Sequence, residues 1–185
     1  MGINRHFCIL AFAAACAAVQ AQQEGPQYWQ ISHGDVVDLA PYRFQLPESK
    51  AIDLKDWDGQ PVLLIYIAAF DAKSTEFAKV FEEKAWPEIQ NKNIVCYVVG
   101  FGDQIPSLVS WRKENNFSFP IASDSSKKFH DAVCKVEFGG FPHIVMLDRD
   151  HHFCVGAIGN TLDPASAEFL KMIDDVIETG CAPAQ

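Results

Sequence analysis

Few groups in this chain can do chemistry, and their spacing narrows what they can do. The stretch 61–74, Pro-Val-Leu-Leu-Ile-Tyr-Ile-Ala-Ala-Phe-Asp-Ala-Lys-Ser, reads as an apolar strand running straight into a helix. The first turn of that helix carries Asp71, Lys73 and Ser74. A helix N-terminus bears partial positive charge, so a carboxylate there caps the free N–H groups. For Asp71 this capping role outweighs a catalytic one. Ser74 has an unactivated hydroxyl and no neighbouring base in the sequence.

Thiols lie elsewhere. Beyond residue 21 the cysteines are Cys96, Cys134, Cys154 and Cys181, and none falls in a C-x-x-C or zinc-type His/Cys spacing. No metal or cofactor is expected. Cys96 sits mid-strand in an apolar run, where a buried thiol is an inert hydrophobe. Cys134 ends a short helix eight residues before Pro142 and feels the negative end of the helix dipole, which disfavours a thiolate. It is nevertheless the remaining candidate nucleophile. His143 follows Pro142; a lone histidine is more often a hydrogen-bonded structural residue than a catalyst. His151 and His152 fall on a hairpin turn and are expected to be solvated.

The surrounding chain gives these residues a setting. Residues 1–21 have a short basic start at Arg5, an apolar run over 7–19 and a small-residue end, Val19-Gln20-Ala21, as a secretory signal does. The run is too short to span a bilayer. An alternative is lipid attachment at Cys16, although Ala13-Ala14-Ala15 lacks the bulky aliphatic residue such sites begin with. The protein is therefore expected to be exported, periplasmic or secreted. Residues 22–36 read as a flexible leader and 37–185 as one domain, long enough to bury a core. The whole chain carries net charge −9, and losing residues 1–21 makes it −10. With no basic cluster, nucleic acid and anionic membranes are poor partners. Export makes disulfides possible, and four cysteines allow three full pairings.

Strands are expected at 42–46, 51–54, 62–68 and 94–100, and a hairpin at 143–148 and 152–158. Helices are expected at 71–85, 105–115 and 125–134. Trp86, preceding Pro87, should break the first of them, and a new turn should start with Pro87 at a first helical position. A last helix opens at Asp163-Pro164 and ends at Gly180. Strands crossed by helices, then a hairpin and a closing helix, describe an α/β mixed sheet with helices on both faces.

The order of several segments resembles the TlpA-like redoxin branch of the thioredoxin superfamily. These are Ala40-Pro41-Tyr-Arg-Phe44-Gln-Leu46-Pro47, then 54–64, Phe117-Ser-Phe119-Pro120-Ile-Ala-Ser-Asp124, and Phe138-Gly-Gly-Phe141-Pro142 with the hairpin after it. The resemblance spans roughly 38–160 and implies a thioredoxin-like fold. It also implies aromatic-Cys-x-x-Cys where this chain has Phe70-Asp71-Ala72-Lys73-Ser74, so that Asp71 and Ser74 stand in place of the thiols. Peroxidatic and copper-delivering relatives need thiols in this helix too. The resemblance further implies a cis bond before Pro142, beside which Phe141 would pair with an extended polypeptide, as an added strand does. Phe70, Asp71, Lys73 and His143 would border that groove. In such a fold the hairpin turn and the end of the last helix share a pole, which makes Cys154–Cys181 the expected bridge. The implied function is a non-catalytic polypeptide-binding or assembly module of the cell envelope. The alternatives are a thiol-disulfide oxidoreductase using a noncanonical cysteine such as Cys134, and a structural subunit whose contacts lie away from the groove.

Overall fold

A computed structural model describes residues 28–135 and 140–181. The signal-like segment with Cys16, the leader through residue 27, and Phe138-Gly139 of the loop motif lie outside the described residues. The architecture is a seven-stranded mixed sheet of order β2-β1-β5-β4-β3-β6-β7. Its strands are β1 (Arg43–Gln45), β2 (Ala51–Asp53), β3 (Val62–Ile67), β4 (Val95–Phe101), β5 (Ile121–Asp124), β6 (His143–Leu147) and β7 (Phe153–Ile158). The helices are α1 (Ala72–Val80), α2 (Trp86–Ile89), α3 (Ile105–Glu114), α4 (Lys128–Val133) and α5 (Ala167–Thr179).

β3, β4 and β5 run parallel, and β6 returns antiparallel to β3. Every residue of β3 is buried, as expected where both faces are covered. Alternation divides its side chains. Leu63, Ile65 and Ile67 join a core with Phe77, Phe81, Phe169 and Ile173, while Val62, Leu64 and Tyr66 join another with Phe44, Trp57, Phe129 and Phe153. The register places Tyr66 opposite His143 and Val62 opposite Leu147. The C-terminal ends of β3, β4 and β5 therefore meet the start of β6 at one pole, and Asp148 marks the other.

Four expectations need correction. The helix does not break at Trp86: residues Phe81–Ala85 form a π-helical turn that carries it into α2. Widening the turn accommodates Pro87, which lacks an N–H and crowds the preceding turn, and Pro87 does sit in the first turn of α2 as expected. The last helix opens later than Asp163-Pro164, with Ser166 as its cap, its side chain accepting from Phe169 N–H at 3.1 Å. Asp163 instead accepts from Ala165 N–H within the preceding turn. His151 is buried, its ring 3.3 Å from the Trp57 carbonyl.

Finally, the leader is tied down from Tyr28. Gln30 N–H donates to Val133 O and Lys135 N–H to Tyr28 O, bridging Trp29 to Cys134. Val36 bridges to His152. The Trp29 ring lies over Gly156, where a Cβ would run into the indole. Only glycine leaves room for this packing.

Candidate functional site

The site begins where β3 ends. Ala68-Ala69-Phe70 turns the chain, and Asp71 adopts the extended conformation of a helix cap. Its Oδ2 accepts from Ser74 N–H at 2.7 Å, and its carbonyl accepts from Thr75 N–H at 3.1 Å. The carboxylate thus takes the anion position at the N-terminus of α1. Ser74 is fully buried, and its Oγ accepts from Ala68 N–H at 3.3 Å, closing the turn. Phe70 is 86% exposed, Lys73 is exposed, and Asp71 is half-buried. Asp103 supports the same turn, accepting from Ala69 N–H at 3.1 Å. Burial holds that carboxyl above its ordinary range.

Across the sheet pole, the Phe141–Pro142 peptide is cis, and Pro142 and His143 are buried. The carbonyl of Pro142 accepts from Gly159 N–H at 2.7 Å. Phe141 is half-buried, its ring stacked on His143 at 4.6 Å and packed on Phe101 at 5.2 Å. This leaves part of the Phe141 ring at the surface and part in the core.

Behind Phe141 lies a group the sequence reading did not assemble. α4 carries His130 and, four residues on at its C-cap, Cys134, one helical turn apart on one face. His130 Nε2 lies 2.8 Å from His143 Nδ1, and Cys134 Sγ lies 3.8 Å from that same nitrogen. Each of these three residues is at most 1% exposed. The His130 ring is held by Tyr66 at 4.8 Å and Phe101 at 4.5 Å. Burial drives the His130 imidazole down to about 3, with His143 and Lys127 acting in the same direction, so it is neutral. Burial raises the Cys134 thiol to about 12, reinforced by Asp131. Buried Asp124 accepts from His130 N–H at 3.0 Å, anchoring α4, and burial raises its carboxyl.

The structure therefore brings Asp71 to Ser74, and separately brings Cys134 and His143 to His130. It does not put the remaining cysteines here. Cys96 is buried, and burial raises its thiol to about 12. Cys154 and Cys181 are bridged at the opposite pole, with Cα atoms 5.0 Å apart. A cleft of about 460 Å³, lined by Trp57, Trp86 and Tyr97, opens beside the start of β4, away from the α1 turn. His130 was not singled out because its meeting with His143 depends on how α4 packs on the start of β6. The available signal was its His-x-x-x-Cys spacing with Cys134.

The sheet order and the cis-proline beside the α1 turn define a thioredoxin-like protein. The chain belongs to the AhpC/TSA family, whose model matches residues 36–152. It is thus a redoxin-branch member of the thioredoxin superfamily. No curated protein matches it. Among solved structures it is similar to a putative protein disulfide isomerase from Bacteroides thetaiotaomicron, at 13% identity and TM-score 0.71 over 83% of this chain and 94% of that one. A PrxQ mutant from Xylella fastidiosa matches at 19% identity and TM-score 0.64, covering 80% and 99%. A putative DsbE thiol:disulfide interchange protein from Chlorobium tepidum matches at 15% identity and TM-score 0.60, covering 78% and 96%. At these identities the likeness is one of fold.

Proposed function

We propose that this redoxin-fold protein binds extended polypeptide without dithiol chemistry at α1. The observation that carries this reading is the Asp71 carboxylate accepting Ser74 N–H at the helix N-terminus. A group already anionic and acceptor-only holds the place where a thiolate would form. It cannot attack a disulfide. Binding needs no thiol: the backbone beside Pro142 and the exposed Phe70 ring supply an edge and an apolar contact. Export is part of the proposal, supported by the signal-like residues 1–21 and the Cys154–Cys181 bridge.

A second reading is a thiol-disulfide oxidoreductase working through Cys134. The family match and the neighbours described as disulfide isomerase and interchange proteins favour it more than they favour pure binding. Against it stand the burial of Cys134 and its raised thiol pKa. In this reading Cys134 attacks a client disulfide, forms a mixed disulfide and releases one client thiolate. A second thiol from a client or small molecule must then resolve it.

Two measurements separate the readings. Calorimetric titration with reduced, carboxymethylated α-lactalbumin, an unfolded polypeptide without free thiols, tests binding. Loss of heat in Phe70→Ser, a surface change, supports the first reading, and no binding by the unaltered protein defeats it. Reduction of insulin by dithiothreitol tests the second. Acceleration abolished in Cys134→Ser establishes a redox enzyme, and rates at background remove it.

A further inference from the structure

We propose that His130, Cys134 and His143 form a three-ligand site for one thiophilic metal ion, Cu⁺ or Zn²⁺. The inference is independent of how the α1 turn or the Phe141 groove is used. Three donor atoms of the types that bind soft d¹⁰ ions converge within 4.8 Å of one another, all from buried residues. They come from two elements fixed against each other: α4 is anchored by Asp124, and His143 by β6 pairing with β3 and β7.

The distances suit an ion after a small adjustment. Ligands at roughly 2.0–2.3 Å from a metal stand roughly 3.3–3.7 Å apart in tetrahedral or trigonal geometry. The Cys134–His143 separation is 3.8 Å, close to that spacing. The His130–His143 separation is 2.8 Å, a hydrogen-bond distance, and must open by roughly half an ångström. Small rotations of two rings supply this.

A second observation points the same way. His130 Nδ1 is a buried side-chain nitrogen with no hydrogen-bond partner among the described residues. The two imidazoles face each other across one hydrogen bond, which takes one bridging proton. If His130 Nε2 holds it, Nδ1 is a bare buried lone pair; if His143 holds it, His130 Nδ1–H has no acceptor. Either arrangement carries the cost of an unsatisfied buried polar atom. A metal on His130 Nε2 fixes the proton on Nδ1. The Asp131 carboxylate lies 3.6 Å from that nitrogen, placed to take up the N–H as carboxylates do behind metal-bound histidines. Binding releases the Cys134 thiol proton and displaces the proton that bridges the two imidazoles.

Charge and coordination rank the two ions. Cu⁺ with one thiolate is neutral, and three soft ligands can satisfy it. Zn²⁺ with one thiolate leaves a positive charge in a dry site and favours a fourth ligand. Among the described residues no fourth His, Cys, Asp or Glu joins the group. Cu⁺ is expected to bind more tightly.

The test uses the purified protein with its disulfide intact, under anaerobic conditions. It is dialysed against Zn²⁺ alone and, separately, against Cu⁺ held in acetonitrile, and metal per chain is measured by mass spectrometry. About one ion per chain is expected for Cu⁺, Zn²⁺ or both. Cys134→Ser and His143→Gln should each lower affinity by about 100-fold or more, beyond the loss seen on removing an outer-shell partner. Cys96→Ser should leave it unchanged. Should a variant fail to fold by circular dichroism, X-ray absorption on the unaltered loaded protein replaces it. One sulfur at about 2.3 Å with nitrogen at about 2.0 Å supports the site. Substoichiometric uptake of both ions overturns it. So does one ion held undiminished by both folded variants, or a metal shell without sulfur.

Discussion

The two ends of β6 carry the same kinds of residue and treat them oppositely. At the end of the strand, Asp148 accepts backbone N–H from Cys181 at 3.0 Å, His152 at 2.9 Å and Asp150 at 3.0 Å. The cysteines there, Cys154 and Cys181, are joined. At the start, His143 meets an unbridged thiol and a second imidazole whose outer nitrogen has no hydrogen-bond partner among the described residues. A second cluster, one acid and two sulfurs, lies at the Asp148 end, yet its sulfurs are consumed by their bridge. One pole spends its polar groups on holding the chain together. The other holds an unbridged thiol and a buried His130 nitrogen without a hydrogen-bond partner among the described residues, which is where new chemistry can reside.

The largest test of this contrast is the bridge itself. Replacing Cys154 and Cys181 by alanine opens a loop with a sequence separation of 27. Loop-closure entropy in the unfolded chain puts the loss at about 3–4 kcal/mol. Cys134→Ala, which removes one buried sulfur, should cost about 1–2 kcal/mol. Urea unfolding of both variants reads the difference. Equal losses would mean that Cys134 is as structural as the bridge and the contrast would fail.

The two buried aspartates sharpen it through pH. Burial raises Asp148, but the N–H donors of Cys181, His152 and Asp150 overcome this, and its net pKa is lowered. A lowered carboxyl contributes stability above its unfolded value of about 3.9 and loses it as pH falls through the folded value. Asp124 is raised, chiefly by burial, so its ionised form costs stability at neutral pH and acid relieves that cost. Asp148→Ala should therefore lose about 2 kcal/mol at pH 7, since three donors are left without their charged acceptor. The gap to the unaltered protein should narrow toward pH 3. Asp124→Asn, which keeps an acceptor for His130 N–H, should be neutral or slightly stabilising at pH 7. Denaturation midpoints from pH 7 to 3 read both signs, and a shared direction would erase the distinction.

Some of this was legible in the residues and some was not. β3 and β4 were, because a continuous apolar run such as 62–67 has few other homes; β5, short and ending in Ser123-Asp124, was not among the expected strands. The Asp71 cap was legible because cap chemistry is local. The His130–Cys134–His143 group was not, because it depends on how α4 docks against β6. The hold on the leader was also missed: polar residues around Tyr28-Trp29 masked an aromatic anchor whose socket, Gly156, lies far along the chain. His151 looked solvated because turns usually are, whereas here the turn folds back on the Trp57 carbonyl.

That anchor also guards the pole that holds His130 and Cys134. Backbone pairing of Tyr28–Gln30 with Val133 and Lys135 lies directly over the end of α4. Ellman's reagent should leave Cys134 unlabelled in the native protein. Gly156→Ala, which drives a Cβ into the Trp29 ring, should raise the labelling rate by about tenfold, equivalent to about 1.4 kcal/mol of easier opening. Unchanged labelling would show that the strap does not control access to the thiol.

The smallest expected effect falls on the α1 turn, and it decides what Asp71 is for. Asp71 makes one cap bond to Ser74 N–H, at 2.7 Å, on a half-buried helix end. Loss of such a cap costs about 1 kcal/mol. Asp71→Ala should therefore lose about that much in urea unfolding, while Asp71→Ser, which offers the same Ser74 N–H an oxygen, should lose only a few tenths. Neither should change binding of the carboxymethylated polypeptide if the groove works through Phe70 and the Phe141 backbone. The capping role predicts that stability follows the presence of an acceptor and ignores its charge. A catalytic or ligand-binding carboxylate predicts the reverse: Ser would fail like Ala in the binding titration. An Asp71→Ser protein of unaltered stability that no longer binds would move Asp71 from the scaffold of this pole into its working surface.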